Sequence, residues 1–263
     1  MRIDRDIVCR AERAAASIAL AQAAALVAND PEHPAEAEAF DDGALVAFGP
    51  GRYVNRAMAV GLGGTSANTV VATLTDFYAS RGLSPSLELS PWAPSELVEL
   101  LGAAGFRVQW FRNVYVRDLV DLPPIGATSI ELVDVHTSST RKHIISGEEA
   151  EGTDARRISD EYCDAAARVT GSTDYVALVD GAPVACASLT VVNGVAQLGG
   201  ANTLEAHRGQ GLQSALLTHR LHAAAAAQCT LATATALPDG QSARNLERFG
   251  FTALYTQVVL TLP

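Results

Sequence analysis

Cysteine, positive charge and long apolar runs are scarce in this chain, and each scarcity excludes something. The four cysteines, Cys9, Cys163, Cys186 and Cys229, lie far apart and form no Cys-x-x-Cys pair. Neither a disulfide framework nor a zinc ribbon is indicated, and reduced thiols are the reading this spacing supports. Cys163 and Cys186 have no neighbouring base in sequence, which argues against a nucleophilic thiol. Only 19 Lys and Arg stand against 29 Asp and Glu, a net charge of −10. Steering of nucleic acid or of an anionic membrane by the whole surface is thereby disfavoured, and a cationic small molecule or basic peptide is favoured. The apolar stretch 14–28 follows Asp4, Asp6 and Glu12 and reads as too short to span a bilayer, so it is expected to be a helix packed on a domain. With no polybasic run elsewhere, the expected location is the cytoplasm, with neither membrane nor nucleic acid as partner.

What remains is a globular composition: 48% hydrophobic and 18% charged residues, with 21 Gly and 11 Pro in 263 residues. General disorder and fibrous repeats are excluded, and the length fits two compact halves or one large domain. Helical spacing predicts a first helix over 10–27, closed by Asn29, Asp30 and Pro31. After an acidic connector through Glu38, strands are expected at 44–48 and 56–60, then a Gly-rich break at 61–64. A helix at 70–78, a strand at 87–89, a helix from Ser95 as N-cap to Ala104, and strands at 106–111 and 114–116 complete this half. The Pro pair, Ser/Thr residues and acidic run of 118–152 read as a linker or crossing strand, with the domain boundary near 125. Beyond it come a helix at 154–169 and an antiparallel meander of strands at 174–179, 183–192 and 195–198, turned at Asp180–Gly181 and Asn193–Gly194. A helix at 212–227, a strand at 231–236, a short helix at 242–249 and a closing strand at 251–262 follow.

The halves repeat each other. Gly105–Phe106 with Trp110 and Val114 aligns without gaps on Gly250–Phe251 with Tyr255 and Val259, and Gly63–Gly64 is matched to Gly199–Gly200. This is the mark of a tandem of two related α/β units. Only the second carries the segment Thr203, Leu204, Glu205, Ala206, His207, Arg208, Gly209, Gln210, Gly211, Leu212, Gln213, Ser214 at the entry to a strong helix former. Two glycines there can turn backbone amides toward an anion, because unpaired N–H groups and the positive end of the helix dipole converge. It is not a dinucleotide fingerprint, since the third Gly is missing, and no Gly–Lys–Ser/Thr marks a P-loop.

This segment resembles the coenzyme A loop of the GNAT superfamily of N-acetyltransferases, whose pattern is R/Q-x-x-G-x-G/A. Arg208 and Gly211 match its first and fourth positions, while Gln213 replaces the Gly or Ala of the sixth, either crowding a pyrophosphate or pointing to solvent. The helix and Gly–Phe step at 242–251 resemble the family's late helix, with Asn245 where an Asn often contacts the cofactor. The resemblance implies two GNAT-like α/β (α+β) units, each a mixed, mostly antiparallel sheet flanked by helices: a degenerate one over 1–125 and an acetyl-CoA-binding one over 126–263. Acetyl-CoA would lie where the fourth and fifth strands splay, with no metal. Thr203 and Leu204 would face the pantetheine arm and thioester, and the amides of Arg208, Gly209, Gln210, Gly211, Leu212, Gln213 and Ser214 the pyrophosphate. An acceptor amine, on a small molecule or peptide, would attack the thioester directly. Leu246 stands where the family's general-acid Tyr is expected, and Gly199 and Gly200 where some members carry a carboxylate base. Tyr255 is the substitute candidate for the acid, with a core aromatic as the plainer alternative. His219 and His222, at i and i+3, read as a solvated helix face; His207 is either a positive charge near the phosphates or an ordinary loop residue, and Arg244 and Arg248 read as surface residues paired with Glu247 or with nothing, with the adenosine 3′-phosphate as the alternative contact. A non-catalytic acyl-CoA-binding or regulatory module and a longer acyl donor remain as rival readings.

Overall fold

The computed structural model describes residues 3–52, 54–125, 131–135, 138–146, 149 and 151–263. The expected start of the second domain at 126, and Glu148 of the acidic run, lie outside those residues. Two compact units emerge, and they do not divide the chain at a single point. Unit 1 is Met1–Tyr115 with Thr235–Ala243 and Ala253–Pro263; unit 2 is Val116–Ala234 with Arg244–Thr252. The first break falls ten residues before the expected one, and the closing strand belongs with unit 1, because its hydrogen-bonding partners lie there.

Unit 1 opens with α1 (Arg5–Asn29), capped by the Asp4 carboxylate accepting from the Ile7 amide at 3.1 Å. By length and composition this helix is long and apolar enough to cross a membrane, which corrects the reading of 14–28 as too short; half of its most apolar window is buried inside the protein. The supposed acidic connector is strand β1 (Glu36–Phe40), paired antiparallel with β2 (Gly43–Ala47) through the two-residue turn Asp41–Asp42. Its exposed glutamates belong to a solvated sheet edge, where charge discourages further pairing. Then follow β3 (Arg56–Met58), α2 (Ala67–Ala79), β4 (Ser86–Leu89), α3 (Ser95–Ala103) and β5 (Arg107–Asp118). Pro94, not Ser95, is the N-cap of α3, and the two expected strands at 106–116 are one. The strand order is β1-β2-β3-β4-β11-β5, where β11 (Thr252–Thr261) pairs antiparallel with β4, Val258 opposite Leu89. Leu45, Val70, Leu74, Leu87, Leu97 and Leu101 form the core between α2, α3 and this sheet.

Unit 2 contains more regular structure than its linker-like opening suggested: β6 (Glu131–Val135) and α4 (Ser138–Ile145) lie within the stretch read as linker. Next come α5 (Asp154–Ala167), β7 (Ser172–Val179), β8 (Ala182–Val192), β9 (Val195–Thr203), α6 (Leu212–Ala226), β10 (Leu231–Ala236) and α7 (Gln241–Arg248). The order is β10-β9-β8-β7-β6, antiparallel except for the parallel pair β9–β10. Both meander turns are as the sequence demands: Asp180 and Gly181 have φ of 52° and 77°, Asn193 and Gly194 of 49° and 72°. Two successive positive φ values match the strand twist and suit Asn/Asp followed by Gly.

Candidate functional site

The site is built on β9. Its parallel pairing with β10 ends at Leu198 opposite Ala234, yet β9 runs on to Thr203, still paired with β8. Gly199 and Gly200 therefore lie inside the strand and not after it, and the matching of Gly63–Gly64 to them does not hold. In register, Cys186 faces Asn202 and Ser188 faces Gly199, so Gly200 and Ala201 together oppose the single residue Ala187. That is a β-bulge, which bends the strand and frees a backbone group. Gly200 has a φ of +54°, and a Cβ built there would lie 2.2 Å from Nη2 of Arg141 and 2.9 Å from Oγ of Ser188.

Arg141, on α4, thus fills the side-chain space that Gly200 leaves. Its Nη1 donates to Asp174 Oδ1 at 2.8 Å, its guanidinium lies 5.5 Å from the Tyr162 ring, and only 1% of it is exposed. Nε and Nη2 have no hydrogen-bond partner among the described residues. Arg220, on α6, is fully buried; it donates to the Ser188 carbonyl at 2.9 Å and the Gly199 carbonyl at 3.4 Å, and burial lowers its pKa to about 10. Burial likewise pushes Cys163 up to about 11 and Cys186 up to about 12, which keeps both as thiols. Sequence reasoning missed Arg141, Asp174 and Arg220, because no local pattern distinguishes an arginine that will be buried from one that will be solvated.

Past Thr203 the chain makes a 3-10 turn, Glu205–His207, and enters α6 through exposed residues 208–211. Gly209 and Gly211 both have φ of +79°, in the left-handed region that glycine adopts at least cost, and a Cβ at either would meet nothing within 4 Å. Gly211 is the N-cap of α6 and supplies no side-chain acceptor, so the first-turn amides of the helix point outward without a cap. Gln213 neither crowds the loop nor points to solvent. Its Nε2 turns back to the Asn202 carbonyl at 2.8 Å, Thr203 Oγ1 at 3.0 Å and the Cys186 carbonyl at 3.3 Å. Arg208 donates through Nε to the Thr203 carbonyl at 3.2 Å. Leu204 has its amide on the Val184 carbonyl at 2.9 Å, and its own carbonyl accepts from His207 at 2.9 Å.

Thr203, Leu204, residues 208–214 and Asn245 all fall in unit 2. Asn245 lies on α7 and accepts from Arg248 at 2.6 Å, and Leu246 is buried. Tyr255 lies elsewhere, on β11 in unit 1, where its hydroxyl donates to the Glu12 carboxylate on α1. Burial, first, and then the Glu12 charge push its pKa far up. Glu12 also accepts from Gln257 at 3.0 Å, and burial raises its own pKa from 4.5 to about 7. His219 faces Asp134 and the Tyr175 ring, and His222 lies 2.8 Å from the Pro123 carbonyl. No group of three metal-ligating side chains occurs among the described residues.

The folded chain is similar to several solved structures. A GCN5-related N-acetyltransferase from Kribbella flavida matches at 22% identity and a TM-score of 0.66, over 95% of each chain. A conserved protein of unknown function from Staphylococcus epidermidis matches at 13% identity and 0.62, over 89% of this chain and 96% of that one. A tandem GNAT protein from the clavulanic acid biosynthesis pathway matches at 18% identity and 0.54, over 82% and 72%. At these identities the likeness is one of fold. No curated protein matches the sequence. Residues 132–251, which hold the bulged strand, the glycine loop and Asn245, match the family model of the acetyltransferase (GNAT) family. From β6 through α7 this chain is therefore similar to the acetyltransferases of the GNAT family.

Proposed function

We propose that unit 2 transfers an acetyl group from acetyl-CoA to a primary amine by direct attack, in the cytoplasm. The observation that carries this reading is the uncapped start of α6, with Gly209 and Gly211 left-handed, exposed and open on their Cβ sides. Backbone amides from Gly209 to Ser214 suit a pyrophosphate there, because the helix dipole and unsatisfied N–H groups act together on an anion, while the Arg208 amide is already held by the Glu205 carbonyl at 3.2 Å. When bound, acetyl-CoA supplies the activated acyl thioester. The edge of β9 from Gly199 to Thr203, released from β10, offers backbone groups to an extended pantetheine arm. Leu204 contributes less backbone than expected, since Val184 and His207 already engage it. Gln213 keeps the loop mouth clear by bracing β8 and β9, and Asn245 adds a polar contact from α7. The net charge of −10 favours a cationic acceptor by steering.

A second reading has its own support. Leu246 is buried where the family's Tyr is expected, Gly199 and Gly200 carry no carboxylate, and the Tyr255 proton is engaged by Glu12. These features favour a module that binds acyl-CoA without transfer. Melting temperature with and without acetyl-CoA, on the wild type and on Gly211→Trp, tests binding. A ligand at one hundred times its dissociation constant stabilises by about 2.7 kcal/mol. We expect a rise in the wild type that the Trp variant loses relative to its own ligand-free value. Release of coenzyme A across a panel of amines then separates transfer from binding, and no thermal response at millimolar ligand overturns both readings.

A further inference from the structure

Each unit contains a parallel strand pair joined by a helix: β3-α2-β4 in unit 1 and β9-α6-β10 in unit 2. The segment leading into α2, residues 59–66, thus occupies in its unit the place that 204–211 occupies in the other. It too is rich in glycine and has positive φ at Ala59, Gly61 and Gly64, of 58°, 85° and 98°. The two differ in what their amides hold. In unit 1 the N–H groups of Gly61 and Gly63 donate to Asp41 Oδ2 at 2.8 and 2.9 Å, and that of Thr65 donates to Asp41 Oδ1 at 3.1 Å. The carboxylate arrives from the β1–β2 turn, where Asp41 has a φ of 57°. Burial works against its charge, but the bonds from Gly63, Thr65 and Gly61 overcome this and hold its pKa below the usual carboxylate value. A Cβ at Gly63 would lie 2.4 Å from Asp41 Oδ1 and 2.8 Å from the Asp42 amide, so the contact requires glycine there. Around it, Asp42 is bound to Arg13 at 2.5 Å, and Arg5 donates to the Leu62 carbonyl at 3.2 Å. The start of α2 is itself capped by Ser66, which accepts from the Thr69 amide at 3.2 Å.

We infer that Asp41 is a built-in anion that closes the amide cradle of unit 1, so that this loop takes up no phosphate-bearing ligand and the chain binds one coenzyme A, not two. Closure rests on the Asp41 geometry alone; the count of one rests on the function proposed for unit 2. Three amides converging on one carboxylate satisfy the donors that a pyrophosphate would otherwise satisfy, and its negative charge repels a second anion.

Calorimetric titration of the wild type with coenzyme A is expected to give one site per chain; two sites overturn the inference. Thermal melts with inorganic pyrophosphate, in a Gly211→Trp background that disables the loop of unit 2, isolate unit 1. We expect no response with Asp41 present and a rise once Asp41→Gly removes the carboxylate. Asp41→Asn, which tolerates the left-handed turn, should melt roughly 4–8 °C below wild type from loss of charge-assisted bonds. A folded Asp41→Gly variant blind to pyrophosphate overturns the inference. Should both variants fail to fold, amide hydrogen exchange in the wild type decides, being slow at Gly61, Gly63 and Thr65 if Asp41 holds them and as fast as at Gly209 and Gly211 if it does not. A wild type that binds no coenzyme A at all defeats the proposed function of unit 2 while leaving the pyrophosphate and exchange results to judge Asp41.

Discussion

Glu12 is a carboxyl group buried in unit 1 that receives hydrogen bonds from Tyr255 and Gln257. Its pKa of about 7 in the folded chain exceeds its usual 4.5, so the folded state holds a proton that the unfolded state releases. Stability from this group is full below about pH 4.5 and falls as pH rises toward 7, by on the order of 3 kcal/mol in all. Glu12→Gln keeps an acceptor without the charge, and we expect the difference in melting temperature between variant and wild type to grow from pH 5 to pH 8. Asp41 has the opposite sign: its contribution is complete above the ordinary carboxylate pKa and disappears as pH falls through its lowered value. At Gly200 the predicted defect is steric and conformational. Gly200→Ala places a methyl group against the Arg141 guanidinium at positive φ, costing about 1–3 kcal/mol. Arg141→Met should cost stability alone by removing the buried ion pair with Asp174, yet reduce the additional effect of Gly200→Ala in a double-mutant cycle read by chemical denaturation.

At the scale of elements, the two Gly–Phe steps show how far pattern carries. Gly105 and Gly250 both close helices at positive φ, the amides of Phe106 and Phe251 reach back to Leu101 and Leu246 at 3.0 and 3.1 Å, and both phenylalanines are buried. Backbone chemistry of this kind is local, so the gapless alignment found it. The bulge in β9 was not legible, because it arises from the register with β8 and from Arg141 below it. Nor was the direction of Gln213, which depends on strand carbonyls ten residues and more away. From that direction we predict that Gln213→Ala, although it restores the GNAT pattern, lowers stability by about 1–2 kcal/mol and does not tighten acetyl-CoA binding. Denaturation curves and a titration of the cofactor check the two halves of this statement.

For the molecule as a whole, the decisive element is β11, which ends the chain and pairs with β4 of unit 1. Removal of residues 252–263 is expected to unfold unit 1, since it withdraws one of the two strands paired with β4 and the hydrogen bonds to Glu12 from Tyr255 and Gln257. Trp92 and Trp110, the two tryptophans of the chain, lie in unit 1. A red shift of their emission in the truncated chain is therefore the readout, and unchanged emission would contradict this assignment. A fragment 126–263, cut at the boundary expected from sequence, would carry β11 without β4 and expose an unpaired strand edge, with aggregation as the expected result by size-exclusion chromatography.

The sequence by itself determined the helices and strands with clear periodicity, the two Asp–Gly and Asn–Gly hairpin turns, the two Gly–Phe steps, and the glycine loop at the start of α6. Each depends on residues near one another in the chain, where spacing and the sign of φ suffice. Only the tertiary structure decided that an acidic connector is an edge strand, that a linker contains α4 with its buried Arg141, that the last strand belongs to the first unit, and that one glycine loop is filled by Asp41 while the other stands open. Those outcomes depend on which distant groups share a buried space, and the low dielectric of that space, not any local preference, selects the partners of Arg141, Glu12 and Gln257.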